Sequence, residues 1–252
     1  SDGVSRLWMR GLSSVSAQPI TGTDGAALPF WSPDSRSIAF FAEGRLKRLD
    51  LDGGSVRPLT TVPVARGGAW LGNGTILFAS TNDSPIMGIP AGGGTPVAVT
   101  TLAPGQFSQA APQPLPDGRH FTYFAYGRPG IQGVFVGGVE GEPTTRLFDA
   151  DTTAVYASGH LLFLRQGTVM AQPFDLARLS ATGPPFSLAV QGSVSWNGLG
   201  SVALSASRRG LIVYRAGQGD LRQLAWFDRS GKQSGTVGQS MSSMFNPSMS
   251  PD

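Results

Sequence analysis

Trp31-Ser32-Pro33-Asp34-Ser35-Arg36-Ser37-Ile38-Ala39-Phe40-Phe41 is the stretch that decides the fold. An apolar strand end runs into a Pro-Asp turn, and a second apolar run leaves it. Pro presets φ at the first central turn position, and Asp accepts a backbone N–H, so each punctuating residue has a mechanical task. The turn returns at Pro114-Leu115-Pro116-Asp117-Gly118, before His120-Phe121-Thr122-Tyr123-Phe124, and again at Met249-Ser250-Pro251-Asp252. Trp70-Leu71-Gly72-Asn73-Gly74 stands in the same context with Asn in place of Asp. The spacing is 39 residues from Asp34 to Asn73 and 44 from Asn73 to Asp117. Self-similarity at this period, with several strands per unit, is the signature of a β-propeller.

Working outward, Glu43-Gly44 turns the chain after Phe41. Leu46, Leu49 and Leu51 then alternate among charged residues, and Asp52-Gly53-Gly54 leads into Val56-Arg57-Pro58-Leu59. That makes four strands joined by tight turns. The second-strand place is refilled by Thr75-Ile76-Leu77-Phe78, Leu161-Leu162-Phe163-Leu164 and Leu211-Ile212-Val213-Tyr214. Runs this continuously apolar suit strands covered on both faces, so all are expected to be buried. Phe174 to Leu179 is too short for a stable helix and reads as loop. The fold class expected is all-β: a propeller of four-stranded antiparallel blades, six-bladed or larger and incomplete. One domain spans residues 1–252, with a partial blade at 1–27, blades from about residues 28, 68, 112, 153 and 201, and the start of a further blade at 246–252.

The 35 glycines and 19 prolines fit this density of turns, while 40% hydrophobic residues exclude a disordered or collagen-like chain. The 19 basic and 16 acidic residues are scattered singly, so no surface is built to neutralise a phosphate backbone, and no nucleic-acid partner is expected. With no cysteine there is no thiolate metal site and no thiol nucleophile. No run is long enough to span a membrane. The start, Ser1-Asp2-Gly3-Val4, is neither an initiator methionine nor a signal peptide, and the chain reads as part of a longer one.

Trp31 to Phe40 followed by Leu49-Asp50-Leu51-Asp52-Gly53-Gly54 resembles the TolB-like, WD-repeat-like propeller repeat of bacterial proteins, over essentially the whole chain. More narrowly, Phe40-Phe41-Ala42-Glu43-Gly44, Leu115 to Phe121, Met170-Ala171-Gln172-Pro173-Phe174-Asp175 and Ala225 to Lys232 resemble propellers C-terminal to bacterial serine/threonine protein kinases. That resemblance implies a cytoplasmic kinase domain, a membrane span, and an extracytoplasmic propeller corresponding to this chain. Asn73, Ala157-Ser158-Gly159 and Ser207-Arg208-Arg209-Gly210 depart from the turn pattern.

The chain has no His-Arg-Asp loop, no Asp-Phe-Gly motif and no Gly-x-Ser-x-Gly elbow, so neither kinase nor prolyl-oligopeptidase chemistry is encoded within it. Ala91-Gly92-Gly93-Gly94-Thr95 lacks the Gly-Lys-Ser/Thr ending of a phosphate loop and reads as a hairpin turn. His120 and His160 each precede a second-strand run and read as partly exposed strand starts. Asp50/Asp52 and Asp149/Asp151 are spaced like two ligands of a calcium loop but lack its further oxygens. Trp31 and Trp70 share a repeat position and should pack between blades. Trp196 and Asn197, in Ser193-Val194-Ser195-Trp196-Asn197-Gly198, are the candidate contacts for a ligand or partner. No catalytic, metal or cofactor residues are assigned. The expected role is a non-catalytic module that binds or senses a protein, peptide or small ligand. The alternatives are the gating propeller of a prolyl-oligopeptidase-type serine peptidase and a TolB-like periplasmic scaffold.

Overall fold

The computed structural model describes residues 4–11, 13–188, 202–207, 211–216, 222–228 and 232–241. Two short strands, β1 (Trp8–Met9) and β2 (Gln18–Pro19), pair with each other and are followed by five antiparallel blades. The first holds β3 (Ala27–Trp31), β4 (Ser37–Ala42), β5 (Arg45–Asp50) and β6 (Arg57–Thr61). The second holds β7 (Gly68–Trp70), β8 (Thr75–Phe78), β9 (Met87–Pro90) and β10 (Val97–Ala98). The third holds β11 (Gln106–Pro114), β12 (His120–Gly127), β13 (Gly133–Gly138) and β14 (Thr145–Phe148). In the fourth, β15 (Val155–Ala157), β16 (His160–Arg165) and β17 (Thr168–Asp175) are closed by two short strands, β18 (Ser180–Ala181) and β19 (Phe186–Ser187), both paired to β17. The fifth holds β20 (Leu204–Ala206), β21 (Ile212–Ala216), β22 (Arg222–Phe227) and β23 (Gln233–Met241). The described residues contain no helix. The chain is therefore an all-β propeller of four-stranded antiparallel blades.

The turn acid works as its chemistry dictates. Asp34 Oδ1 accepts the Ser32 hydroxyl at 2.6 Å and the Arg36 N–H at 3.1 Å. Asp117 Oδ1 accepts the N–H groups of Arg119 and His120 at 3.1 and 3.0 Å. Asn73 Oδ1 accepts the Thr75 N–H at 3.0 Å, so the position requires an acceptor rather than a charge. The residue after each acceptor is left-handed, with φ of 61° at Ser35, 84° at Gly74 and 78° at Gly118. Six residues before each acceptor a second left-handed site recurs, at Leu28, Gly67 and Ala111. At Leu28 and Ala111 the pairing register shifts, so these are β-bulges, each followed by a proline.

The core lies in the seams between blades. Phe30, Ala39, Phe41 and Leu46 of the first blade cluster with Trp70, Ile76, Phe78 and Ile89 of the second. Leu77 and Ala79 point the other way, to Phe121, Tyr123 and Phe135 of the third. Val134, Val136 and Phe148 meet Leu161 and Phe163 of the fourth. Leu162 and Leu164 meet Leu204 and Tyr214 of the fifth. Alternate residues of one strand serve opposite seams because successive side chains point to opposite faces. Leu7 and Ala26 pack on Ile38, Phe40 and Leu49, so the segments flanking β1 and β2 cover the free face of the first blade.

Two expectations are corrected in detail. Leu211 is exposed and Ile212 half-buried, unlike the other second-strand runs. Leu211 closes a turn with Ser207: its carbonyl accepts the Ser207 N–H at 2.9 Å and its own N–H donates to Ser207 Oγ at 3.1 Å, which places it at the rim. The third blade begins at Gln106 rather than near Pro112. Its opening, Gln106-Phe107-Ser108-Gln109, is polar and bulged, and Gln109 is fully buried because Thr100, Thr101 and Gln106 satisfy its amide.

Phe40 is fully buried under the segments flanking β1 and β2, and Phe163 is fully buried in the seam between the third and fourth blades. Replacing either by Ala is expected to cost about 3–5 kcal/mol in denaturant unfolding. Gly118→Ala places a Cβ at positive φ and is expected to cost about 1–2 kcal/mol. Asn73→Asp, which keeps the acceptor, should leave stability within about 0.5 kcal/mol.

Candidate functional site: the central channel and its rims

The first strands of all five blades line one channel, with a volume of about 460 Å³. Its wall carries Phe30, Trp31, Trp70, Leu115, Tyr156 and Leu204, with Pro29, Pro33, Pro114 and Pro116 between them. Polar groups are few: Gln113, the Tyr156 phenol and the hydroxyls of Ser158, Ser205 and Ser207. No Asp, Glu, His, Lys or Arg is among the described lining residues. A mostly apolar cavity of this size with a few placed polar groups is the general form of a small-ligand site.

Glycine lets the backbone draw this close at two levels. A Cβ on Gly67 would lie 2.8 Å from Ala111 Cα, and one on Gly72 would lie 3.1 Å from Gly118 Cα. The second and third blades therefore touch backbone to backbone along the channel. Trp70 is buried in the first seam, where the Arg48 guanidinium lies 4.9 Å from its ring centre. Trp31, half-buried, packs on the cluster behind the first blade. Trp70 thus combines a place between blades with an edge on the channel, whereas Trp31, expected between blades, has the channel edge but packs on the first blade and the segments flanking β1 and β2.

A second cleft, about 540 Å³, opens between the third and fourth blades, around the loop that follows β12 and the β16–β17 turn. Its charges are already engaged. Arg146 pairs with Asp149, Arg165 donates to the Asp149 carbonyl at 2.7 and 3.0 Å, and Asp151 Oδ2 accepts the Gln166 N–H at 2.6 Å. Asp149 and Asp151 therefore act in loop closure. Asp50 is likewise held by Ser37 and Arg48, and Asp52 by Arg36. Among the described residues no group of three His, Asp or Glu side chains could hold a metal ion. Gly92-Gly93-Gly94 lies in the turn between β9 and β10, as expected.

His120 departs from the sequence reading. It is 4% exposed, not a partly exposed rim residue, with Nδ1 2.6 Å from Asp117 Oδ2 and Nε2 2.5 Å from Glu142 Oε2. Asp117 comes from the β11–β12 turn and Glu142 from the β13–β14 turn, so the imidazole ties two hairpins of one blade together. Burial opposes its charge, but the hydrogen bonds and charges of both carboxylates outweigh it and raise its pKa above 6.5. Burial also acts against the Asp117 carboxylate, yet the His120 N–H and imidazole bring its pKa below 3.8. Both ring nitrogens are committed, so His120 has none left to act as a base. His160 is half-buried, with Nδ1 3.2 Å from the Ser158 carbonyl. Trp196 and Asn197 lie outside the described residues.

No protein-family model matches the sequence, and no curated protein matches it. Solved structures do. TolB from Acinetobacter baumannii aligns at a TM-score of 0.69 and 17% identity, over 94% of this chain and 60% of that one. This chain thus spans about 60% of the length of that TolB. A chain assigned as TolB from Agrobacterium tumefaciens aligns at 0.67 and 18% identity, over 91% of this chain and 87% of that one. The gluconolactonase XC5397 of Xanthomonas campestris aligns at 0.65 and 14% identity, over 85% of this chain and 76% of that one. These likenesses establish the fold, a TolB-like β-propeller.

The His120 cluster generates a pH prediction. A raised histidine pKa contributes stability that is fully present below 6.5 and is lost as pH rises through the folded-state value. The lowered Asp117 pKa contributes stability above 3.8 that is lost on further acidification. The melting temperature is expected to fall as pH rises from 6.5, and His120→Gln should remove that slope. A wild-type melting curve flat in this range would contradict the assignment.

Proposed function

We propose that this chain is a non-catalytic binding module whose channel receives an uncharged, largely apolar ligand or peptide segment. The observation that carries the reading is the channel wall: aromatic, aliphatic and proline side chains with a few hydroxyls and one amide, and no ionisable group except the Tyr156 phenol among the described residues. Aromatic rings beside backbone and hydroxyl groups favour a partner with apolar bulk and a few hydrogen bonds. General acid–base chemistry and metal-assisted hydrolysis both need ionisable or ligating side chains facing the substrate, and this wall offers neither set.

The motifs shared with kinase-linked propellers support a more specific setting, the extracytoplasmic C-terminal part of a bacterial serine/threonine protein kinase. A reading frame encoding kinase motifs and a span of about 20 apolar residues ahead of this segment would bear that out. The likeness to a gluconolactonase raises a second reading, a lactone hydrolase. Against it stands the lack of acidic and histidine side chains on the described channel wall.

Titration with Nile red, an uncharged apolar dye, should give saturable binding. Trp70→Ala and Tyr156→Ala should each weaken it about tenfold, a loss of ~1.4 kcal/mol. Hydrolysis of gluconolactone should stay at the background rate with and without calcium. Turnover proportional to protein concentration would reject the non-catalytic reading, and binding unaffected by both variants would reject the channel.

A further inference from the structure

Arg66 lies in the connection from the first blade to the second, one residue before the channel-lining Gly67. Its backbone is fixed on both sides: its N–H donates to the Ala79 carbonyl at 3.3 Å, and its carbonyl accepts the Ala111 N–H at 2.7 Å. The side chain is 7% exposed and lies in the seam between the second and third blades. Its guanidinium lies 4.7 Å from the Tyr126 ring centre, and Nη1 donates to Asn82 Oδ1 at 3.2 Å. Nε is buried without a hydrogen-bond partner, and no carboxylate among the described residues reaches ion-pair distance.

A buried guanidinium with a ring face, the hydrogen bond of the Tyr126 hydroxyl and an amide oxygen, but no counter-charge, is costly. The Tyr126 ring offsets part of that cost and holds the guanidinium plane in place. The open donor is the Nε–H, which lies on one edge of a planar fork of the kind that matches a carboxylate. The exposed Asn82 side chain, on the loop after β8, brings an amide N–H₂ beside the same spot. A single cation answers a single negative charge, whereas a phosphate dianion would call for more donors than are assembled here.

We propose that the rim between the second and third blades is a site for one carboxylate group, held by Arg66 and Asn82, with Tyr126 as the platform beneath the guanidinium. It stands apart from the uncharged channel and does not depend on the channel's being a ligand site. Its ligand class is a small organic acid or the carboxylate of a larger molecule.

The test uses the 252-residue chain, uniformly labelled with nitrogen-15, titrated with sodium acetate at constant ionic strength. The Arg66 Nε–H resonance, assigned by its loss in Arg66→Met, should shift saturably with millimolar affinity. Acetamide, the uncharged isostere, should bind about tenfold more weakly or not at all. Arg66→Met should melt no lower than the wild type and should lose the acetate-dependent rise in melting temperature, because it removes an uncompensated buried charge. Asn82→Ala should weaken acetate binding without abolishing it. An unshifted Nε–H at 100 mM acetate (about a hundred times a 1 mM constant) would overturn the proposal. So would equal shifts with acetate and phosphate, or destabilisation by Arg66→Met with no acetate response in either protein.

Discussion

The two-sided burial of the second strand in the first four blades is the constraint from which the rest of the structure follows. Phe40 and Phe41, adjacent in β4, serve opposite faces of the first blade, one under the segments flanking β1 and β2 and one in the seam with the second blade, while Leu161 and Leu162 in β16 serve different seams. Neighbouring blades among the described residues therefore complete one another's cores. The seams converge on the first strands, and this convergence draws the second and third blades to backbone contact at Gly67 and Gly72. The channel is the space left along the axis once the seams have closed.

Much of this was legible in the sequence because it rests on short-range chemistry. The turn acceptors, the glycines after them and the continuous apolar runs all lie within a dozen residues of one another. Asn73 could be placed beside Asp34 and Asp117 because a side-chain oxygen at that offset captures a backbone N–H whether or not it is charged. The left-handed bulges at Leu28 and Ala111 escaped notice. Their signal, a residue before proline six positions ahead of the turn acceptor, is weak, since such a residue is more often extended.

The site residues were harder to read, for a different physical reason. His120 looks like a strand start until Glu142, brought across by the β13–β14 hairpin, covers its second nitrogen. Arg66 looks like one more scattered surface cation until Tyr126 of a different blade stacks on it. In both cases the decisive neighbour is set by the angle between hairpins or blades, which local residue spacing does not encode. The shared repeat position puts Trp31 and Trp70 alike between blades, yet only Trp70 lies in a seam, and the channel edge of each depends on how far the first strands lean inward.

The division of the outermost place in the fourth blade between β18 and β19 bears on how the molecule meets others. β17 gives each of them only two paired residues. The outer strands of the first three blades are also short, at five, two and four residues, while β23 of the fifth runs for nine. A short edge offers too few free N–H and C=O groups to template another strand. Among the described residues, an incoming chain seeking backbone pairing therefore finds one long edge, on the fifth blade. Contacts around the rest of the rim must be made by side chains, and these can be tuned one residue at a time.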